Sequence, residues 1–327
     1  VNQKIAKKIS LLFGCIVSLS CNHKLHNQID YEVFLTGYNV RLNDAIISDS
    51  VWTIVGGIRG EEGKIIRSKD QGNTWNEIYS IQGKSLYSII WDTHNLVWVG
   101  GEYITLLKSE NTVDWEAIDF GSQLPFHEED RPSIRSISVP FENTISFVGG
   151  ENLGEGIIYR STDSGEHWQF EFFQHELRDC LWINENLVIA AGHGALFRAD
   201  TSFTQIQNPN TNYAFHTSLN RMNEELIICA DQSGKIIVTE DAGLSWQEVL
   251  NNRISPLLDL GYNDVDSIEE MAVACGNGGL ISFSRDGKQW RNYFIRNEPN
   301  LYSVQLHENK CYFTSDEGKI FVTEIQF

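Results

Sequence analysis

The sequence predicts an all-β protein, a single seven-bladed β-propeller of four-stranded blades whose ring is closed by an N-terminal strand. Three observations predict it: a turn motif recurs along the chain, a glycine-marked apolar run recurs seven times, and a third register marks seven strand starts. A self-similar period of this kind is the signature of repeat architectures.

The turn motif reads S/T-x-D-x-G-x-x-W. It stands at Ser68, Asp70, Gly72 and Trp75, at Ser161, Asp163, Gly165 and Trp168, and at Thr239, Asp241, Gly243 and Trp246. Two weaker copies are Ser284, Asp286, Gly287 and Trp290, one residue shorter between Asp and Gly, and Ser109 to Trp115, with Asn111 for the Asp. A short acid in a tight turn accepts hydrogen bonds from the amides of its own loop. The glycine supplies a backbone angle that costs other residues energy, and the tryptophan ring packs against the blade. These residues are therefore expected to be scaffold, with no part in ligand binding.

The apolar runs end VGG at 55–57, VGG at 99–101, VGG at 148–150, AAG at 190–192, CAD at 229–231, ACG at 274–276 and FTS at 313–315. From Gly57 to Ser315 they recur on average about every 43 residues, the length of a four-stranded blade. The units alternate with period two, which excludes helical solenoids.

The third register gives the start of each inner strand as apolar, large and variable, then small and polar. It runs Leu42-Asn43-Asp44, Leu86-Tyr87-Ser88, Ile134-Arg135-Ser136, Leu177-Arg178-Asp179, Phe215-His216-Thr217, Leu257-Leu258-Asp259 and Leu301-Tyr302-Ser303. The last unit stops one strand short at Phe327, and residues 31–37 (YEVFLTG) have strand character. Pairing the two closes the ring and removes the exposed edges of an open sheet. No linker interrupts the count, so 31–327 reads as one domain.

Ahead of it, Lys4, Lys7 and Lys8 precede a mostly apolar stretch from Ile9 to Ser20, too short to span a bilayer. The stretch ends Val17-Ser18-Leu19-Ser20-Cys21, similar to a bacterial lipobox. The expectation is a lipoprotein-type signal peptide over 1–20, acylation at Cys21, and a polar tether over 21–30. The protein would then be exported and held at a membrane, the outer membrane by preference. Cys180, Cys229, Cys275 and Cys311 lie in apolar strand-like runs without CxxC spacing. They read as buried free thiols, with no metal or redox site.

The formal charge is −19, and without the three N-terminal lysines 22 basic residues face 44 acidic ones. Such a surface repels a nucleic-acid backbone, which excludes nucleic acid as a partner. Gly276-Asn277-Gly278-Gly279 is a turn between strands and no dinucleotide fingerprint, because no helix follows it. The nine histidines are scattered. No cofactor and no metal are expected.

The motifs and the cadence LYSI, IRSI, VGG and RSxDxGxxW resemble the BNR/Asp-box propellers, over nearly all of 31–327. These include sialidases, xyloglucanase-type glycosidases, sortilin-like receptors and the Ycf48-like photosystem II stability and assembly factors, the group whose cadence is most similar. The resemblance implies that the turn motifs join third to fourth strands on the face opposite the usual ligand site. Function does not transfer with it, because one fold hosts many activities.

The ligand rim is expected where the inner strands start, which would gather Asn43, Tyr87, Arg135, Arg178, His216 and Tyr302, with Leu258 as the apolar exception. The longest insertion, 121–133 (GSQLPFHEEDRPS), is expected to arrive there with His127, Glu128, Glu129, Asp130 and Arg131. Arg135 and Arg178, on adjacent blades of an acidic protein, could form a positive spot suited to a carboxylate. That acidity would leave little room for a broader arginine patch. The expected function is a non-catalytic binding or assembly module of the bacterial envelope, engaging a protein partner. The alternative is a glycoside hydrolase or glycan-binding protein. A hydrolase needs two carboxyl groups about 5–10 Å apart, with Glu62, Glu102, Glu128, Glu129, Glu151 and Asp179 as candidates. The sialidase signature is incomplete, since Arg131-Pro132 lacks its Ile and no third arginine falls in register with Arg135 and Arg178.

Overall fold

A computed structural model describes residues 28–92, 94–120, 123–127, 130–151, 154–200, 205–207, 214–252, 260–297 and 299–325. The segment expected to be a signal peptide, and Cys21 with its expected acylation, lie outside the described residues.

Seven four-stranded antiparallel sheets stand around a central channel. Strand β1 (Glu32–Leu35) leads into blade one, made of β2 (Arg41–Ile47), β3 (Trp52–Ile58), β4 (Glu62–Ser68) and β5 (Asn76–Gln82). Blade two is β6 (Leu86–Trp91), β7 (Val97–Gly101), β8 (Thr105–Ser109) and β9 (Glu116–Ala117). Blade three is β10 (Ser133–Phe141), β11 (Thr144–Gly150), β12 (Gly156–Ser161) and β13 (Gln169–Phe173). Blade four is β14 (Leu177–Asn184), β15 (Leu187–Gly192), β16 (Ala195–Asp200) and β17 (Gln205–Gln207). Blade five is β18 (His216–Arg221), β19 (Ile227–Asp231), β20 (Lys235–Thr239) and β21 (Gln247–Asn251). Blade six is β22 (Tyr262–Ile268), β23 (Met271–Gly276), β24 (Leu280–Ser284) and β25 (Trp290–Phe294). Blade seven joins β26 (Leu301–His307), β27 (Lys310–Ser315) and β28 (Lys319–Glu324) to β1.

The closing strand is the expected one. β1 pairs antiparallel with β28, from Glu32 opposite Val322 to Leu35 opposite Lys319. Trp52 of blade one then packs edge-on against Phe34 and Tyr312 of blade seven, which seals the junction with apolar area. The order begins earlier than 31. Ile29, inside the stretch expected to be a polar tether, is buried at 3% exposure, and its amide donates to the Phe294 carbonyl. An apolar side chain in that stretch has a slot between blades six and seven.

Each blade packs face to face with its neighbours, so its second strand is buried on both faces. All of β7 and β11 are buried, as is β3 up to Gly57. This is why these strands read as unbroken apolar runs. The outermost strands, such as β5, alternate and meet water.

The motif turns sit where expected, between third and fourth strands at the rim where the inner strands end. Ser68 Oγ donates to Asp70 and accepts from the Gly72 amide at 2.8 Å. Asp70 accepts from the Thr74 amide and hydroxyl, and Trp75 Nε1 donates to the Gly72 carbonyl. The Ser161–Trp168 turn repeats this arrangement, with His167 in place of Thr74. In the Thr239–Trp246 turn Ser245 takes that place. The His167 amide, first among its donors, holds the Asp163 carboxyl down at about 2. Trp290 keeps its bond to Gly287 in the shortened copy, and Asn111 replaces the acid in blade two by accepting the Val113 and Asp114 amides.

Candidate functional site

The channel mouth is built by one backbone device used seven times. Near the start of every inner strand the pairing with the second strand shifts by one residue: after Leu42, Leu86, Ile134, Leu177, His216, Tyr262 and Leu301, the last with Tyr302 and Ser303 set against Thr314. A bulge leaves the extra residue unpaired and re-aims its side chain. Here it turns Asn43, Tyr87, Arg135, Arg178, Thr217, Asn263 and Tyr302 onto the channel wall, where all seven line both the channel and its mouth. The bulge also brings a carbonyl close to the second strand. A Cβ on Gly149 would stand 1.8 Å from the Ser133 oxygen, and one on Gly276 2.0 Å from the Gly261 oxygen. The glycines that end the apolar runs are therefore the partners of the bulges.

Two of the seven expected starts are displaced. In blade five the register is His216-Thr217-Ser218, so Thr217 and not His216 faces the channel. His216 is 2% exposed, its Nδ1 lies 3.5 Å from Cys229 Sγ, and burial lowers its pKa to about 4. In blade six the strand starts at Tyr262, five residues after the expected Leu257. Residues 257–259, Leu258 among them, lie outside the described residues. A β-strand pattern slips by one residue without losing its apolar character, and Phe215 imitated the register there.

The long insertion also goes elsewhere. Gln123 accepts from the Trp168 amide, and Phe126 packs on Phe172 at 5.6 Å, so the described part lies against the outer strands of blade three. His127 is exposed there and Asp130 is exposed, while Arg131 is half-buried with its charge felt by Tyr159. None of them lines the mouth. Glu128 and Glu129 lie outside the described residues. The insertion carries Leu124 and Phe126, whose burial decides its course.

The mouth is a cavity of about 450 Å³ in which four arginines meet: Arg41, Arg59, Arg135 and Arg178. Three lie over aromatic rings, Arg41 over Tyr302 at 3.4 Å, Arg135 over Tyr87 at 4.8 Å and Arg178 over Phe215 at 4.9 Å. Such stacking orients a guanidinium while leaving its edge free to donate. Glu176, 1% exposed, is shared by Arg135 Nε at 3.0 Å and Arg178 Nη2 at 3.2 Å. Arg41 makes no ion pair with a described residue, and Asp316, whose charge it feels, accepts the Tyr302 hydroxyl. Burial first, and then repulsion from Arg135, brings Arg178 down to about 10. Arg59 is ion-paired to Glu102 and Glu151. The arginine cluster is broader than the acidic composition suggested, and Arg41 and Arg59 were missed. Both precede or follow a recognised register by one or two residues, which is the signal that could have found them.

The described carboxylates considered for hydrolysis are each engaged. Glu102 accepts the Gly60 and Ser85 amides, Glu151 the Ser133 hydroxyl, and Glu62 pairs with Lys64. Asp179 belongs to a ring of small polar residues one position below the mouth: Asp44, Ser88, Ser136, Asp179, Ser218, Asp264 and Ser303. Ser303 donates to Asp44, Ser136 to Asp179 and Ser218 to Asp264. Amides of the following blades donate in turn, Ile89 to Asp44, Ile137 to Ser88, Leu219 to Asp179 and Val304 to Asp264. Every one of the seven blade junctions is thereby bonded across its inner strands. Burial raises Asp44 to about 7 and Asp179 to about 6 against these donors. Cys180, Cys229, Cys275 and Cys311 are buried and unpaired. Two exposed groups of described residues have metal-ligand spacing, Asp49 with His307 and Glu308, and Asp163 with Glu166 and His167, the latter committed to its own turn.

Fold and site together define a seven-bladed propeller with an arginine- and tyrosine-lined mouth. No family model matches the chain, and no curated protein matches it in sequence. Among solved structures it is similar to Ycf48 bound to a D1 peptide, at TM-score 0.69 and 18% identity, over 92% of this chain and 99% of that one. Ycf48 from Cyanidioschyzon merolae gives 0.63 and 16%, over 90% and 98%. A catalytically inactive virginiamycin B lyase from Staphylococcus aureus with quinupristin gives 0.71 and 14%, over 91% and 100%. At these identities the likeness establishes the fold.

Proposed function

We propose that this protein is a non-catalytic binding module that engages a protein partner at the channel mouth through a carboxylate of that partner. The observation that carries the reading is the convergence of Arg41, Arg135 and Arg178 on one cavity with a single directly paired carboxylate, Glu176, between them. Guanidinium edges steered by aromatic rings match the fork of a carboxylate and bind it bidentately. Tyr87 and Tyr302 add amphipathic surface for a peptide backbone. The similar propeller Ycf48, solved with a D1 peptide, supports a peptide as ligand.

We infer further that the chain is an Asp-box propeller, a reading its turn motifs support, and an exported lipoprotein anchored at Cys21 on the outer membrane, a reading the N-terminal sequence supports. The partner is then a component of an envelope complex. Affinity purification of the tagged full chain from solubilised membranes tests this. The same partner should be recovered by wild type and lost from an Arg135→Ala/Arg178→Ala variant. Equal recovery by both would remove the mouth from the reading. A Cys21→Ala variant should leave the membrane fraction, and its retention there would remove the anchor.

A further inference from the structure

At the rim of the mouth the chain builds one turn twice, with opposite side chains. In blade two it is Glu102–Ile104 and in blade six Asn277–Gly279, each a single 3₁₀ turn between extended flanking residues. Tyr103 and Ile104 hold φ at +56° and +49°, Gly278 and Gly279 at +66° and +72°. Glycine enters this left-handed region freely and other residues at a cost. Gly279 is required, since a Cβ there would stand 2.7 Å from the Ile295 oxygen. The backbone angle does not by itself require Gly278, because Tyr103 carries a side chain at a similar one. Tyr103, 38% exposed, raises the rim at blade two, and Gly278 leaves it bare at blade six.

The lining of the mouth is divided in the same direction. The four arginines stand on blades one, three and four, while blades five and six give Gln232, Asn263 and Asn277. In a ring of seven, blade six lies across the axis from blades two and three. Asn263 Nδ2 donates to Asn277 Oδ1 at 2.9 Å and to the Leu301 carbonyl at 2.8 Å. Asn263 Oδ1 is then left as an acceptor, Asn277 Nδ2 as a donor, and the Gln232 side-chain amide as both. A peptide unit presents one N–H and one C=O and needs a partner for each. Arginines, which only donate, cannot supply both.

We propose that the ligand is an extended peptide whose carboxylate lies on the arginines and whose main chain crosses to the amides of blades five and six, leaving the mouth over the Asn277–Gly279 turn. This rests on the carboxylate reading above and gives that reading a direction. A bare Gly278 lets a main chain pass close to the rim. Tyr103 stands on the other side. The carboxylate is that of an acidic side chain or of a chain end, which share this chemistry. A sugar acid fits less well, because the rings on which a pyranose would stack, Tyr87, Phe215 and Tyr302, each carry a guanidinium already.

The probes are propionate, an end-capped Ala-Ala-Glu-Ala-Ala peptide, and acetylated penta-alanine with a free carboxylate, each titrated into the ¹⁵N-labelled full chain. At least one peptide should bind about tenfold or more tighter than propionate, the worth of roughly one or two hydrogen bonds. It should shift the amides of Gln232, Asn277 and Gly278, which propionate leaves in place. Whichever peptide binds tighter names the source of the carboxylate. Gly278→Tyr should abolish the advantage over propionate, and Gln232→Ala/Asn277→Ala should do the same where the first variant fails to fold. Tyr103→Gly should leave the advantage intact. An advantage that is absent, that survives those substitutions, or that glucuronate shares would overturn this inference alone, with propionate still lost from Arg135→Ala/Arg178→Ala. No saturable binding of any probe, or binding which that double variant leaves unchanged, would overturn the carboxylate reading as well.

Discussion

Asp266 offers the cleanest way to weigh the buried carboxylates, because it lies below the junction ring and its replacement leaves all seven junction bonds in place. Burial, and then the charge of Asp264, raises its pKa from 3.8 to about 7. The folded state therefore holds a proton that the unfolded chain has already lost between those values. Stability from this group is complete below about pH 4 and is lost as pH rises through 7. At about 1.4 kcal/mol per pH unit, three units amount to about 4 kcal/mol. The perturbation is Asp266→Asn, which cannot titrate, compared with wild type in urea unfolding from pH 4.5 to 8, with chelator present and ionic strength fixed. Asn220 and Ser267 will tolerate the new amide imperfectly, but that cost does not depend on pH. Wild-type stability minus variant stability should fall by about 2–4 kcal/mol across the range, with the m-value unchanged. Using the difference removes His216, whose lowered pKa acts in the opposite direction between pH 4 and 6.5. A difference that is flat, or that grows with pH, would refute the reasoning.

Other expectations follow from single contacts. Trp52→Ala removes the ring that Phe34 and Tyr312 pack upon, and a loss of about 3–5 kcal/mol should appear in denaturant unfolding. Gly149→Ala forces a Cβ to within 1.8 Å of the Ser133 oxygen; either folding fails or the bulge that aims Arg135 shifts, readable as altered Arg135 side-chain resonances. Asp163→Ala loses bonds to Ser161 and His167 at the periphery, so a local cost of about 1–2 kcal/mol is expected, with native-state exchange speeding only in that turn. Because the Asp163 pKa is depressed to about 2, its contribution should hold above pH 4 and vanish as pH falls through 2.

The blade count, the closing strand and the turn motifs could be read from the chain because each rests on local chemistry repeated many times. Gly72 must reach a φ of +83°, Trp75 must find its carbonyl three residues back, and β3 must be apolar throughout because both its faces are covered. Such requirements are written within a few residues of where they act. The inner-strand register was legible in five blades of seven for the same reason. Where it failed, at Phe215 and Leu257, a neighbouring apolar residue satisfied the pattern equally well, and only pairing with β19 and β23 separated the choices.

The mouth is a different matter. Asn43, Tyr87, Arg135, Arg178 and Tyr302 were found together because the bulge that aims them recurs in sequence, and they meet as expected. Arg41 and Arg59 join them only because the ring curves, bringing the edge of one strand and the turn of another to the same opening. The insertion at 121–133 looked functional by length and charge, yet the burial of its two apolar residues took it to the side of blade three. The meeting of Asp44, Asp179 and Asp264 on one channel wall depends on three inner strands, far apart in the chain, standing around one axis. Local sequence determined the blades, and their closure into a ring decided which charges face one another, because that distance is set by the circumference and not by the chain.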